Sequence, residues 1–210
     1  MGEAVPTNGS HKVNSPAAML KTFHALSLLI AGAILAVVPS AGQEFVLQSE
    51  STLSVDGTSN TGDWKVHATT ITGTMTMAEV GDPQSVNVTI PSADMKGRNM
   101  LMTKNMGRTL KVAEHSEITY TLTEVSDSST DDDGTFTLST TGNLTLGGEI
   151  RQISMTVTGT TDDDGRVHLE GSHSLLMSDY NLTERQFMFG RFVLSDEVKV
   201  TFAVQFAPVE

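Results

Sequence analysis

Val198-Lys199-Val200-Thr201-Phe202-Ala203-Val204-Gln205-Phe206 sets a bulky apolar residue at every second position. That period puts Val198, Val200, Phe202, Val204 and Phe206 on one face of a β-strand. Working back along the chain, the pattern recurs in Val86-Val88-Ile90, which Pro91 ends, and in Ile118-Tyr120-Leu122. It returns in Phe136-Leu138, Leu144-Leu146, Ile153-Met155-Val157 and Val167-Leu169, with Thr abundant between the apolar positions. Turn signals separate the runs. Asp131-Asp132-Asp133-Gly134 and Asp162-Asp163-Asp164-Gly165 each end in the Asp-Gly pair of a tight hairpin, and Gly147-Gly148 is a third short turn. About eight strands joined in this way predict an all-β fold, an antiparallel eight-stranded barrel, the size at which a closed barrel has room for one ligand.

One stretch breaks the rhythm. Met102, Met106 and Leu110 recur at four-residue spacing, which predicts one short helical segment between Met95 and Leu110, weakened at Gly107. No linker or long low-complexity tract divides the chain beyond residue 43, so residues 43–210 read as a single barrel domain.

Ahead of it lies Ala25–Val38, ALSLLIAGAILAVV, uncharged, preceded by Lys21 and followed by Pro39-Ser40-Ala41-Gly42. A basic start, a short apolar middle and a small-residue end are the parts of a signal peptide, expected over residues 19–42. The run is short of the roughly 20 residues that a spanning helix needs, which disfavours a stable membrane anchor after cleavage. Residues 1–18 fit neither leader nor barrel and are expected to be a non-native or misassigned extension. A periplasmic or secreted location follows from this reading.

The 210-residue chain is 38% hydrophobic and carries a formal net charge of -12. Such acidity argues against nucleic acid as a partner, since phosphate binding needs clustered Lys and Arg. It contains no cysteine, which removes disulfides, thiolate metal sites, a thiol nucleophile and a lipidated cysteine. His67, His115, His168 and His173 make no helical metal-binding pair, and the last two fall on opposite faces of their strand. The acidic turns lack the longer ligand series of a calcium loop. Asn87, Asn143 and Asn181 open Asn-x-Thr triplets, two of them within strand patterns. No nucleophile elbow or phosphate-cradling loop occurs. The expectation is a protein that is not an enzyme, with no cofactor and no metal.

Four motifs in order carry a family resemblance. They are Leu53–Asn60 with Gly62-Asp63-Trp64, then Met102–Met106 running on to His115-Ser116-Glu117-Ile118-Thr119-Tyr120, Gly142–Gly148, and Phe187-Met188-Phe189-Gly190 with Asp196-Glu197-Val198. From about Phe45 to Pro208 the chain resembles the YceI-like family of exported bacterial proteins. It departs from the family pattern at Gly62, where many members carry His, and at His115-Ser116, where Tyr-Pro is usual. The resemblance implies a lipocalin-like barrel that takes polyisoprenoid or related amphipathic lipids, an acidic exported carrier or buffer.

For an isoprenoid-like or other long-chain lipid the candidate ligand-binding residues are Met102, Met106, Tyr120, Met155, Phe187, Met188, Phe189 and Phe202. Nine of the eleven Met lie beyond the leader, and flexible thioethers adapt to irregular apolar ligands. Arg98 and Lys104, with Arg108 beside them, are candidates for a polar head group. Trp64 is expected to pack near a barrel end. Two alternatives stand beside the carrier: a structural or stress-related envelope protein with a filled barrel, and an enzyme with an inward ionisable residue such as His115 or Asp94. The sequence leaves monomer and dimer both open.

Overall fold

Antiparallel strand pairing dominates the described residues from Gln43 to Pro208. A computed structural model describes residues 42–183 and 185–209, all within one compact unit. The expected leader and the extension before it fall, apart from Gly42, outside the described residues. The strands are β1 (Gln43–Leu47), β2 (Thr52–Ser59), β3 (Gly62–Ala68), β4 (Thr72–Glu79), β5 (Asp82–Pro91) and β6 (Met95–Gly97). After helix α1 (Met100–Thr109) come β7 (Glu117–Thr130), β8 (Phe136–Leu146), β9 (Glu149–Thr161) and β10 (Val167–Leu176). The short β11 (Gln186–Phe187) and the long β12 (Phe192–Pro208) complete the sheet.

Eleven of the twelve segments make eight staves because three staves are interrupted; β11 pairs only with the start of β12. β12 pairs with β2 through Leu194–Ala203 and with β1 through Phe206–Pro208. β2 pairs with β3 and β1 with β4, while β6 pairs with β3 and β5 with β4. β1 and β2, β3 and β4, and β5 and β6 are therefore halves of three staves. β7, β8, β9, β10 and β12 supply the other five, and the β1–β12 pairing closes the ring. The β1–β12 pairing closes the sheet into a barrel, although parts of β6, β9 and β10 keep an unpaired edge.

The acidic turns close as hairpins. In the first, Asp131 N–H donates to the Thr135 carbonyl at 2.8 Å and Gly134 sits at φ 83°. The second repeats this with Asp162, Arg166 and Gly165 at φ 74°. Side chains facing inward pack into two clusters at opposite ends of the staves. One, around Phe45, Met75, Phe136, Val167 and Phe206, closes the hairpin end. The other, around Val66, Met106, Leu146, Tyr180 and Leu182, closes the helix end.

Helix α1 belongs to the second cluster. Asn99 caps it, its side chain accepting from Met102 N–H at 2.9 Å. Met106 and Leu110 are buried and Met102 is half-buried, so the four-residue spacing is the packed face. Gly107 does not break the helix, which continues to Thr109.

The turn Met177–Tyr180 also seals this end. A register shift in β12 between Leu194 and Val198 turns Asp196 toward it. Asp196 accepts from the Ser178 hydroxyl, from Ser178 N–H at 2.8 Å and from Arg185 Nη1 at 2.8 Å. The Ser178 hydroxyl, with help from its N–H and Arg185, holds the carboxyl below the usual carboxylate range. A depressed folded pKa contributes stability above the unfolded value of about 3.9, and that stability is lost as pH falls through the folded pKa. Asp196→Asn is therefore expected to be less stable than the parent at neutral pH. The gap should narrow as pH drops below about 4, as urea unfolding at stepped pH will check.

Candidate functional site

Between the two plugs the barrel is hollow. The cavity measures about 200 Å³ and draws its lining from both clusters and from the waist between them. Among the described residues no Asp, Glu, Lys or Arg lines it; the polar lining residues are Thr109, Thr119, Tyr120, Thr140 and His173, and Trp64 adds an indole. The remainder is Leu, Val, Ile, Met, Phe and one Pro, a surface matched to hydrocarbon.

Four inward glycines face aromatic rings, three of them (Trp64, Tyr120 and Phe202) on the wall of the hollow and the fourth, Phe136, in the hairpin-end plug. Gly57 is the cross-strand partner of Trp64, Gly159 of Phe136 and Gly171 of Phe202, while Tyr120 lies diagonally across from Gly142. A Cβ on any of these glycines would meet its ring: Trp64 at 2.2 Å, Tyr120 at 2.4 Å, Phe136 at 2.3 Å and Phe202 at 2.5 Å. Each ring therefore lies flat over bare backbone, along the wall and out of the lumen. Trp64 is fixed further by its Nε1, which donates to the Thr58 carbonyl at 2.9 Å.

The wall is split between β9 and β10. β9 and β10 pair only through Val157–Thr161 and Val167–Gly171. Beyond that point β9 stays on β8 and β10 stays on β12, so residues 149–156 and 172–176 diverge. The turn Met177–Tyr180 and the bond from Asn181 Nδ2 to Glu149 Oε1, 2.7 Å, close the far end of the split. Thr140, Met155, His173 and Phe202 line both the hollow and the outer groove. The hollow and the outer groove thus share these four side chains as a wall beside the split.

The structure sorts the expected ligand residues into three groups. Met106, Tyr120, Met155 and Phe202 line the hollow. Met102 packs against the helix-end cluster, its Cγ 2.5 Å from where a Gly97 Cβ would sit, and Phe187 is buried under the Arg108 guanidinium, 5.8 Å from the ring centroid. Neither is part of the lining. Met188, Phe189, Arg98 and Lys104 are exposed, and Met188 and Phe189 turn outward at φ 53° and 58° in the tight turn joining β11 to β12. The head-group role expected of Arg98 and Lys104 thus has no geometric support, because Arg98, just ahead of the α1 cap, and Lys104, on α1, are both exposed and neither lines the hollow. His115 and Asp94 do not line the hollow either. His168 faces out, 3.3 Å from Asp162, whereas His173 faces in, and sequence reasoning had not assigned it a role. Trp64 packs at a barrel end as expected, and it lines the hollow as well.

The Tyr120 hydroxyl is fully buried and has no hydrogen-bond partner among the described residues. Burial raises its pKa, with the neighbouring Thr140 hydroxyl pulling partly the other way, so the phenol stays protonated. Thr140 itself donates to the Met155 carbonyl at 3.1 Å.

A YceI-like domain model matches residues 46–206. No curated protein matches the sequence. Among solved structures, a polyisoprenoid binding domain from Saccharophagus degradans, implicated in plant cell wall breakdown, is similar with a TM-score of 0.65 at 14% identity. The match covers 80% of this chain and 99% of that one. BcnA of Burkholderia cenocepacia is similar with a TM-score of 0.61 at 14% identity, covering 74% and 95%. A YceI protein of Campylobacter jejuni gives 0.53 at 16% identity, covering 67% and 82%. At these identities the likeness is one of fold.

Proposed function

Because this chain belongs to the YceI-like family, we propose that it is an exported binding protein that holds an isoprenoid-like or other long-chain lipid inside its barrel. It acts as a carrier or buffer and not as a catalyst. The observation that carries this reading is the hollow waist, walled almost wholly by hydrocarbon and bordered by the split between β9 and β10. Each methylene moved from water into such a wall contributes about 0.8 kcal/mol. A few buried isoprene units therefore offset the ordering of a flexible chain.

The cavity is small beside the roughly 300–1,000 Å³ usual for ligand sites. Met95, Met106, Met155 and Met177 line it, and unbranched thioethers can swing along the wall to lengthen it. The same small volume is what favours the competing reading, a structural envelope protein with a filled barrel. Non-catalysis draws support from the family match and from the polyisoprenoid binding domain among the similar structures. Export rests on the Ala25–Val38 leader pattern; intact mass of protein from fractionated cells tests it, with cleavage expected near Ser40–Gly42.

Trp64 is the only Trp in the chain and lines the hollow. Titration with a long prenyl alcohol is expected to shift its emission saturably at one equivalent, and native mass spectrometry should show one bound lipid. Unchanged emission together with a ligand-free mass spectrum would favour the filled-barrel reading.

A further inference from the structure

The lipid-binding reading leaves open what kind of lipid head the barrel prefers, and the waist narrows it. Inward positions along β8 and β10 run apolar, then polar or bare, then apolar again. On β8 Leu138 is followed by Thr140 and Gly142 before Leu144; on β10 Leu169 is followed by Gly171 and His173 before Leu175. These interruptions flank the split in the wall, where Thr140 pairs with Met155 and His173 pairs with Val200.

Resting on the lipid-binding reading, we propose that Tyr120, Thr140 and His173 form a polar station beside the split that takes one uncharged oxygen of the ligand. That oxygen is a hydroxyl or carbonyl at the head of a prenyl-type chain. The Tyr120 hydroxyl is desolvated and unpartnered, with its ring held against Gly142, so a donor stands ready without reorganisation. The neighbouring Thr140 has its proton on the Met155 carbonyl and offers its oxygen only as an acceptor. His173 reaches the hollow and the outer groove alike, and a neutral imidazole presents one donor and one acceptor.

Charge restricts the head further. Among the described residues no cation lines the hollow, and the charged side chains at the groove are Glu170 and Lys199, one of each sign. A phosphate there would find the single Lys199 ammonium offset by the Glu170 carboxylate and no guanidinium fork. A neutral oxygen suits the donors present.

The test compares geranylgeraniol, the matching tetraprenyl hydrocarbon without oxygen, and geranylgeranyl phosphate, with Trp64 emission as the readout. The unmodified protein is expected to bind the alcohol about tenfold tighter than the hydrocarbon, the effect of one or two net hydrogen bonds. Tyr120→Phe combined with His173→Leu is expected to bring the two within about twofold. If the pair does not fold, Tyr120→Phe alone, which keeps its ring over Gly142, should still lose most of the preference. Equal binding of alcohol and hydrocarbon by the unmodified protein, a preference that survives the substitutions, or tightest binding of the phosphate would each overturn the station. Failure of all three probes to bind would instead overturn the lipid-binding reading beneath it.

Discussion

Phe136→Ala is expected to lower the unfolding free energy by about 3–5 kcal/mol, the range for emptying a large aromatic site that cannot collapse. Phe136 has no solvent exposure. Its ring lies over Gly159, and on another side its Cβ and Cγ are 3.4 Å from the position of a Gly81 Cβ. Two of its neighbours are thus glycines, which have no side chain to swing into the void. Gly81 sits at φ 79° in the turn between β4 and β5, a conformation that resists movement. The ring is a centre of the hairpin-end plug, packed among residues of β1, β4, β9, β10 and β12. Against a total stability of roughly 5–15 kcal/mol the loss is large. A urea titration should show the midpoint falling by more than about 1 M. A fall under about 1 kcal/mol would mean that the plug is looser than its burial indicates.

The barrel was legible because its apolar alternation is strong where the wall is plain. β12 reads without a break from Val198 to Phe206, and the structure pairs it on both sides. The same reading divides β8 into Phe136-Leu138 and Leu144-Leu146, whereas the structure runs one strand through both. The gap is Thr140 and Gly142, inward positions without the expected hydrocarbon. β10 hides Gly171 and His173 in the same way, so its clear pattern stops at Leu169. Local pattern fails where the wall does something other than pack, and here that place is the waist.

Other residues were misjudged for a different reason. Phe187-Met188-Phe189 and the Arg98–Arg108 cations are conspicuous by composition, but composition does not say which way a turn or a helix faces. The tight turn at Met188 and Phe189 sends two of the three apolar side chains into solvent, and α1 spends its inward face on Met106 and Leu110. The signal that was present and unread is the glycine set. Gly57, Gly142, Gly159 and Gly171 stand at inward strand positions, each within reach of one of the few aromatics in the chain.

That arrangement yields a sharper test of the hollow than any deletion. Gly142→Ala is expected to weaken lipid binding by more than about tenfold while costing about 1–3 kcal/mol of stability, the usual penalty of overpacking. A Cβ at position 142 would stand 2.4 Å from Tyr120 Cζ, more than 1 Å inside ordinary contact. The ring must leave the wall, and the free space on its other side is the lumen. Tyr120→Leu in the same chain removes the ring and should return most of the lost hydrocarbon binding, although not the preference for an oxygen-bearing head. The rescue matters more than the loss, because a substitution that merely damaged the fold would not be repaired by a second core change. Near-additive effects in the double-mutant cycle, measured with the tetraprenyl hydrocarbon, would show that Tyr120 and Gly142 do not share the contact on which the open waist depends.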